Sequence, residues 1–292
     1  MAAAAQRPEI LVIVGPTAGG KSDLALKIAK NYNGEIIAAD SRTLYKGMDI
    51  GTAKASSVEQ AKVRHWGLDL VDPGDDFNTF KYKNYAQDKI NDIKKRRKMP
   101  ILVGGTGLFI DSVIFDFEFR SAAKPAKRHQ LEELSIDELQ KIIRGKSYKM
   151  PENSQNKRHL VRVIEAEGKN STKNEHISEE VLLIGLLPPD ETLKKRIAGR
   201  ARKIFDQGIV AETQKLVQTY GDKAVLRTAG IAYATILRLL NGEISQEEAV
   251  SLISTKEWQY ARRQKTWFKR NKHIIWFTSG REAYDFVTSH LA

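Results

Sequence analysis

The sequence contains no cysteine. Disulfides, thiolate zinc sites and cysteine nucleophiles are thereby excluded. It has no apolar run approaching the roughly 18 residues a bilayer span needs. It has no internal repeat and no low-complexity tract. The leader Met1–Arg7 lacks the charged-then-apolar order of a secretory signal. It reads as a short disordered segment, and the cytoplasm is the expected compartment.

What is present is ordinary globular composition: 292 residues, 41% hydrophobic and 29% charged. That suits one large domain, or a domain with an attached module. The formal net charge of +12 favours an anionic partner, whether nucleic acid, phosphorylated metabolite or membrane surface. A soluble protein that happens to be basic is the plainer alternative.

Ile10–Val14 is a continuous apolar run of strand length that closes on glycine. Such a run predicts a strand buried on both faces, as in a parallel sheet. Further strands are predicted at Ile36–Ala39, Pro100–Val103 and Val181–Leu187, with a short one at Ile274–Phe277. Helical patterns lie between them, so the fold class expected is α/β: a parallel sheet core flanked by helices. The segment 117–156 is polar, basic and free of strand-like runs. Its Leu131, Leu134, Leu139, Ile142 and Ile143 predict short helices, so it reads as a small helical insertion. The core is then expected at 8–116 and 157–292.

Gly15-Pro16-Thr17-Ala18-Gly19-Gly20-Lys21-Ser22 fits G-x-x-x-x-G-K-[ST] completely, between a predicted strand and a predicted helix. Glycines let backbone N–H groups turn inward around phosphate oxygens. The following helix points its positive end at the same anion. Lys21 adds a full charge, and the Ser22 hydroxyl is suited to a magnesium ion that also touches the phosphates. The loop specifies a polyphosphate and no more. A kinase, an ATPase and a transferase that expels diphosphate all remain open.

Asp40 ends the second predicted strand, where ligand crevices form in parallel sheets. It is suited to holding magnesium, to taking a proton from an acceptor, or simply to capping the next segment. Gly104-Gly105-Thr106-Gly107 ends the third strand in the same way, and Thr106 either bonds substrate or orders the turn. Lys94–Lys98 reads as a solvated helix end. Arg158 and Arg162 share a helical face suited to phosphates. On the C-terminal helix, Tyr260, Gln264, Trp267 and Phe268 form one face, expected to pack on the core. Arg262, Arg263, Lys269 and Arg270 form another, a basic ridge suited to nucleic-acid backbone.

Together these motifs resemble the tRNA dimethylallyltransferase (IPP transferase) family. The matching strings are Gly15–Ser22, Ala39-Asp-Ser41, Tyr45-Lys-Gly-Met-Asp-Ile-Gly-Thr-Ala-Lys54, Val103-Gly-Gly-Thr-Gly-Leu-Phe109, Leu187-Pro-Pro-Asp190, Phe205-Asp-Gln-Gly208 with Glu212, and Gln259-Tyr-Ala-Arg-Arg-Gln-Lys-Thr-Trp-Phe268. They occur in the family's order, from about residue 9 to residue 277.

The resemblance implies a P-loop NTPase-like fold whose loop binds dimethylallyl diphosphate in place of ATP. It implies prenyl transfer to N6 of adenosine 37 in the tRNA anticodon loop, with Mg2+ bridging Ser22 and the diphosphate. Asp40 matches the general base, and Arg227 matches an arginine that assists the diphosphate beside Lys21. Contacts to tRNA are implied for Asp40, Ser41, Arg42, Thr43 and Thr106, for Arg128, and for Arg158, His159 and Arg162. Arg262 and Arg263 join them from the basic ridge. A monomer without membrane association is implied. The sequence departs from the family's usual pattern at Thr43 (glutamine), Trp66 (histidine), His159 (arginine), and Ile231 and Ala232 (tyrosine and a basic residue). The insertion is also shorter than usual. Rival readings are an ATP-dependent small-molecule kinase, an enzyme that prenylates free adenine nucleotides, and a nucleotide-gated RNA-binding module without chemistry.

Overall fold

A computed structural model describes residues 8–119, 125–168, 174 and 176–291. The leader Met1–Arg7 lies outside them. The chain divides into two compact units, one of 1–114 with 177–292 and one of 115–176.

The larger unit is built on six strands: β1 (Ile10–Val14), β2 (Gly34–Ala39), β3 (His65–Trp66), β4 (Met99–Gly104), β5 (Val181–Leu186) and β6 (Ile275–Phe277). Their order in the sheet is β3-β2-β4-β1-β5-β6, and every pairing is parallel. Both faces of the central strands are sealed. Leu11, Ile13, Ile101 and Ile184 belong to one apolar cluster; their neighbours Val12, Ile37 and Leu102 are also fully buried. This two-sided burial is why these strands read as continuous apolar runs. The two-residue β3 had no such signature, being too short to show a period.

The helices of this unit are α1 (Lys21–Asn31), α2 (Ser57–Lys62), α3 (Thr79–Lys95) and α4 (Gly107–Ile114) before the smaller unit. The smaller unit holds α5 (Pro125–Glu133), α6 (Ile136–Gly145) and α7 (Lys157–Glu165). After it come α8 (Asp190–Asp206), α9 (Ile209–Tyr220), α10 (Asp222–Thr228), α11 (Ile231–Leu240), α12 (Gln246–Phe268) and α13 (Gly280–Leu291). Helix α1 presses Leu24, Ala25 and Ile28 onto one sheet face, where Ala283, Val287 and Leu291 of α13 join it.

The smaller unit corrects the expected boundary at residue 156. Leu160, Val161 and Ile164 of α7 bury against Leu131, Leu139 and Ile143, so α7 belongs with α5 and α6. A basic, amphipathic stretch gives no sequence sign of which apolar surface it will cover. No helix among the described residues is long and apolar enough to cross a membrane.

Candidate active site at the phosphate loop

Strand β1 runs into the loop Gly15–Ser22, and α1 begins at its far end. Gly15 has φ +142 and Gly20 has φ +91. A Cβ on Gly15 would collide with the Leu186 carbonyl oxygen of β5. Both positions therefore require glycine. Ala18 sits in the left-handed region at φ +58, a strain of order 1 kcal/mol that the surrounding fold sustains. The Lys21 ammonium donates to the Pro16 carbonyl at 2.7 Å. Burial pushes its pKa down to about 8, against the attraction of Asp40 and with the repulsion of Arg200. Lys21 is thus a cation that any anion on the loop would strengthen.

Three strand ends meet beside the loop. Strand β4 lies between β1 and β2, so the turn after Gly104 stands between the phosphate loop and Asp40. The Asp40 Oδ1 accepts the Arg42 N–H at 2.8 Å, which fixes the orientation of the carboxylate. Ser41 N–H donates to the Thr106 hydroxyl at 3.0 Å, and Thr106 N–H donates to the Ala39 carbonyl at 3.1 Å. The Tyr260 phenol of α12 pairs with the Thr106 hydroxyl, and burial pushes that phenol up to about 12, so it stays neutral.

Helices α8 and α12 close the phosphate side. Arg196 donates to the Ala18 carbonyl at 3.3 Å. Arg200 pairs with Glu257 at 2.5 Å. Burial raises the Glu257 carboxyl, Arg200 opposes that, and the Thr17 side chain also bonds it. Gln264 is 5% exposed; it accepts the Thr17 N–H at 2.8 Å and donates to the Gly105 carbonyl at 2.9 Å. Sequence reasoning did not single out Arg196, Arg200 or Glu257. Gln264 was expected on the packing face of α12, which its burial bears out, but its bonds to Thr17 and Gly105 were not foreseen.

The specific string around Asp-Ile-Gly-Thr-Ala-Lys proves to be a braced loop. The Lys54 side chain, 2% exposed, bonds Asp49 at 2.5 Å, Asp69 at 2.6 Å and the Tyr45 carbonyl at 2.8 Å. Glu212 of α9 accepts the Ile50 N–H at 3.0 Å and the Tyr233 hydroxyl at 2.6 Å. That hydroxyl in turn accepts the Gly51 N–H at 3.1 Å. The bracing holds Gly51 and Thr52 as one wall of a cleft of about 1490 Å³, which the phosphate loop, Asp40, Tyr260 and Arg200 also line.

Ser22 and Asp40, a hydroxyl and a carboxylate residue suited to magnesium, both line this cleft. Among the described residues no group of three or more His, Cys, Asp or Glu side chains could hold a metal alone. Magnesium commonly takes one or two protein oxygens and completes its shell with phosphate and water. The residues therefore fit an ion shared with a bound diphosphate.

The IPP transferase family model matches residues 43–271. The tRNA dimethylallyltransferase of Bacillus cytotoxicus is 35% identical over 300 residues, covering 97% of this chain and 94% of the relative. That of Acetivibrio thermocellus is 36% identical over 284 residues, covering 91% and 90%. The crystal structure of the full-length tRNA isopentenylpyrophosphate transferase from Bacillus halodurans superposes with a TM-score of 0.73 at 29% identity, covering 97% of both chains. This chain belongs to the IPP transferase family.

Several residues that the family resemblance singled out sit differently from expectation. Thr43 lines the cleft but is only 7% exposed, and its hydroxyl donates to the Asp40 carbonyl at 3.4 Å, which braces the turn after β2. Arg227 does not line the cleft; its exposed guanidinium pairs with Asp76 at 2.6 Å. Arg196, bonded to Ala18, and Arg200, which acts on Lys21, bring guanidiniums to the phosphate loop. Arg42 lines the cleft and anchors to the Thr228 carbonyl at 2.8 Å. Trp66 donates to Glu35 at 2.8 Å, a structural role at the sheet edge. The aromatic face of α12 is not simply core. Phe268 and Gln264 are buried, but Tyr260 lines the cleft and Trp267 is 37% exposed. Arg262 and Arg263 are exposed, as a basic ridge requires. In the smaller unit Arg158, His159 and Arg162 are exposed along α7, and Arg128 pairs with Glu132 at 2.9 Å and Glu165 at 3.6 Å.

Proposed function

We propose that this protein transfers a dimethylallyl group from dimethylallyl diphosphate to N6 of adenosine 37 in the tRNA anticodon loop, releasing diphosphate. One observation carries the reading. A phosphate loop and a strand-end carboxylate, Asp40, face a single cleft whose other wall is a basic helix. Its curated relatives named above are tRNA dimethylallyltransferases.

The loop amides and Lys21 bind the donor's diphosphate at the N-terminus of α1. As the allylic C–O bond breaks, negative charge grows on the leaving diphosphate. Lys21, Arg196 and Arg200 stabilise that charge, the preorganised electrostatics that dominate many such reactions. Magnesium held by Ser22 and the diphosphate would neutralise part of it. The N6 lone pair forms the new C–N bond, and the N6 proton passes to Asp40. Thr106 and Tyr260, tied to each other and to the Asp40 turn, orient the adenine. The target base must leave its stack to enter the cleft. Arg158, His159 and Arg162, with Arg128, supply further phosphate contacts from the smaller unit.

The test is incubation with dimethylallyl diphosphate, magnesium and a tRNA carrying adenosines at 36–38, followed by digestion and mass analysis of the nucleosides. Prenyladenosine is expected. Its absence, or full activity in Asp40→Asn, overturns the proposal. ATP turnover independent of RNA would support the kinase reading instead.

A further inference from the structure

Trp267 is unusual among the described tryptophans in being an exposed large hydrophobic residue. Its indole is nevertheless fixed. The ring lies against Gly107 at the start of α4, so closely that a Cβ there would collide with it. Its Nε1 donates to the Asp111 carboxylate at 2.8 Å. The ring therefore keeps one orientation while more than a third of the residue faces solvent. A solvent-facing aromatic held this firmly loses little freedom when something lies on it.

Its surroundings are cationic and polar. A shallow depression of about 550 Å³ is lined by Gln259, Arg262, Arg263, Thr266, Trp267 and Arg270. The Arg270 guanidinium stands 5.9 Å from the Trp267 ring, at the outer limit of a cation–π contact and beyond stacking distance. Arg263 stands 5.9 Å from the Tyr260 ring, the wall of the catalytic cleft. Tyr260, Gln264 and Trp267 follow one another at helical spacing. The path from the cleft to Trp267 is then about 10 Å along α12, with Arg263 between. An aromatic face amid arginines matches the chemistry of single-stranded nucleic acid, where bases stack and phosphates pair with cations. A protein partner would need an apolar patch of its own, and apart from the indole this surface offers polar and charged side chains.

We propose that Trp267 is the stacking platform for an anticodon-loop base next to the target adenosine, with Arg263 and Arg270 gripping the phosphates on either side. This rests on the tRNA reading above and adds a residue that holds the loop while its neighbour is drawn into the cleft. Trp267 is a positioning residue; it does not touch the reacting atoms.

The experiment measures binding of an unmodified anticodon stem-loop RNA, intact and with one abasic nucleotide at each loop position in turn. The proteins are the full chain, Trp267→Ala and Trp267→Phe. Trp267→Ala is expected to weaken binding of the intact hairpin about ten-fold, the scale of one lost base–aromatic stack. Trp267→Phe should keep most of the affinity. One abasic position beside the target adenosine should weaken the wild type by a similar factor and abolish the difference between wild type and Trp267→Ala. Affinity for inorganic diphosphate should be unchanged in both variants, which separates stacking from misfolding. If the wild type binds every abasic hairpin as tightly as the intact one, the platform is overturned even should Trp267→Ala fail to fold. If the wild type binds no hairpin at all, the tRNA reading falls with it.

Discussion

Gln264 and Thr17, 247 residues apart, are joined by a 2.8 Å bond from the Thr17 N–H to the Gln264 carboxamide oxygen. The same side chain donates to the Gly105 carbonyl at 2.9 Å. The helix that carries the basic ridge thus sets the shape of the phosphate loop and of the turn bearing Thr106. It also withdraws the Thr17 N–H from the amides free to face an anion. Gln264→Leu leaves that N–H and the Gly105 carbonyl without their partner. Each unmade buried bond costs about 1–3 kcal/mol, so for the two a stability loss of about 2–6 kcal/mol is expected by chemical denaturation. Where the variant folds, its affinity for inorganic diphosphate should fall at least ten-fold. A variant with unchanged affinity would mean that the loop holds its own shape.

Lys21 makes donor binding sensitive to alkali. Its pKa is pushed down to about 8, chiefly by burial. A bound diphosphate favours the charged form, so the bound pKa is higher. Binding is therefore strongest below pH 8 and should weaken as pH rises above it, toward ten-fold per unit while only the free enzyme loses the proton. Calorimetric titration with diphosphate from pH 7 to pH 9.5 checks this. Lys21→Met should bind more weakly at pH 7 and lack that slope.

The phosphate loop and Asp40 were legible in the sequence because a local motif carries its own geometry and a strand end predicts where its side chain points. Arg196, Arg200 and Glu257 were not, and of Gln264 only its packing face was. Arg200 reaches Glu257 across 57 positions and Arg196 reaches Ala18 across 178, relations that exist only once α8 and α12 pack beside the loop. The role of Lys54 was hidden for a different reason. Lysine at a loop reads as solvated, and only the chain path around Asp49 and Asp69 brings it to 2% exposure. The partial exposure of Trp267 was not foreseen because helical periodicity says which residues share a face, not how far that face extends past its neighbours.

Glu35 should govern acid stability. It is 1% exposed at the start of β2, bonded to Arg96 at 2.5 Å, to Lys98 at 2.8 Å and to Trp66 at 2.8 Å. The Arg96 bond, above all, holds its pKa down at about 2, against the opposing effect of burial. A carboxyl with a depressed folded-state pKa stabilises the fold above its unfolded value near 4.5 and loses that stability as pH falls toward 2. Its partners Arg96 and Lys98 are each 35% exposed, so solvent screening reduces the effect to about 2 kcal/mol. Glu35→Gln should be less stable than the wild type at pH 7, and the gap should narrow steadily as pH falls from about 4.5 toward 2. Parallel stability curves across that range would rule the linkage out.

The braced cleft wall predicts a sharp effect from one methyl group. A Cβ on Gly51 would stand 2.7 Å from the Tyr233 ring, which is itself fully buried. The buried ring has no room to retreat, so Gly51→Ala must displace the 49–54 loop. Overpacking of this kind costs about 1–3 kcal/mol. Prenyl transfer should fall at least ten-fold, while Tyr233→Phe, which keeps the ring and loses only its bonds to Glu212 and Gly51, should be milder. Equal losses would assign the effect to the hydrogen bonds instead of the packing.

Arg200 and Arg227 give opposite expectations for the leaving group. Arg200 lines the cleft and acts on Lys21, whereas Arg227 is 58% exposed and paired with Asp76. Arg200→Ala leaves Glu257 without its cation, which pushes that buried carboxyl, already raised, further up and so eases the loss of its partner. The fold should survive while affinity for diphosphate falls about ten-fold or more, the loss expected of a charged hydrogen bond. Arg227→Ala should leave diphosphate binding within about two-fold, because an exposed pair contributes little. A ten-fold loss in Arg227→Ala has one structural meaning. The Arg227–Asp76 pair would have to open on binding and release the guanidinium toward the donor. Asp76→Asn distinguishes the cases: it should tighten diphosphate binding if the pair must open, and leave it unchanged if Arg196 and Arg200 suffice.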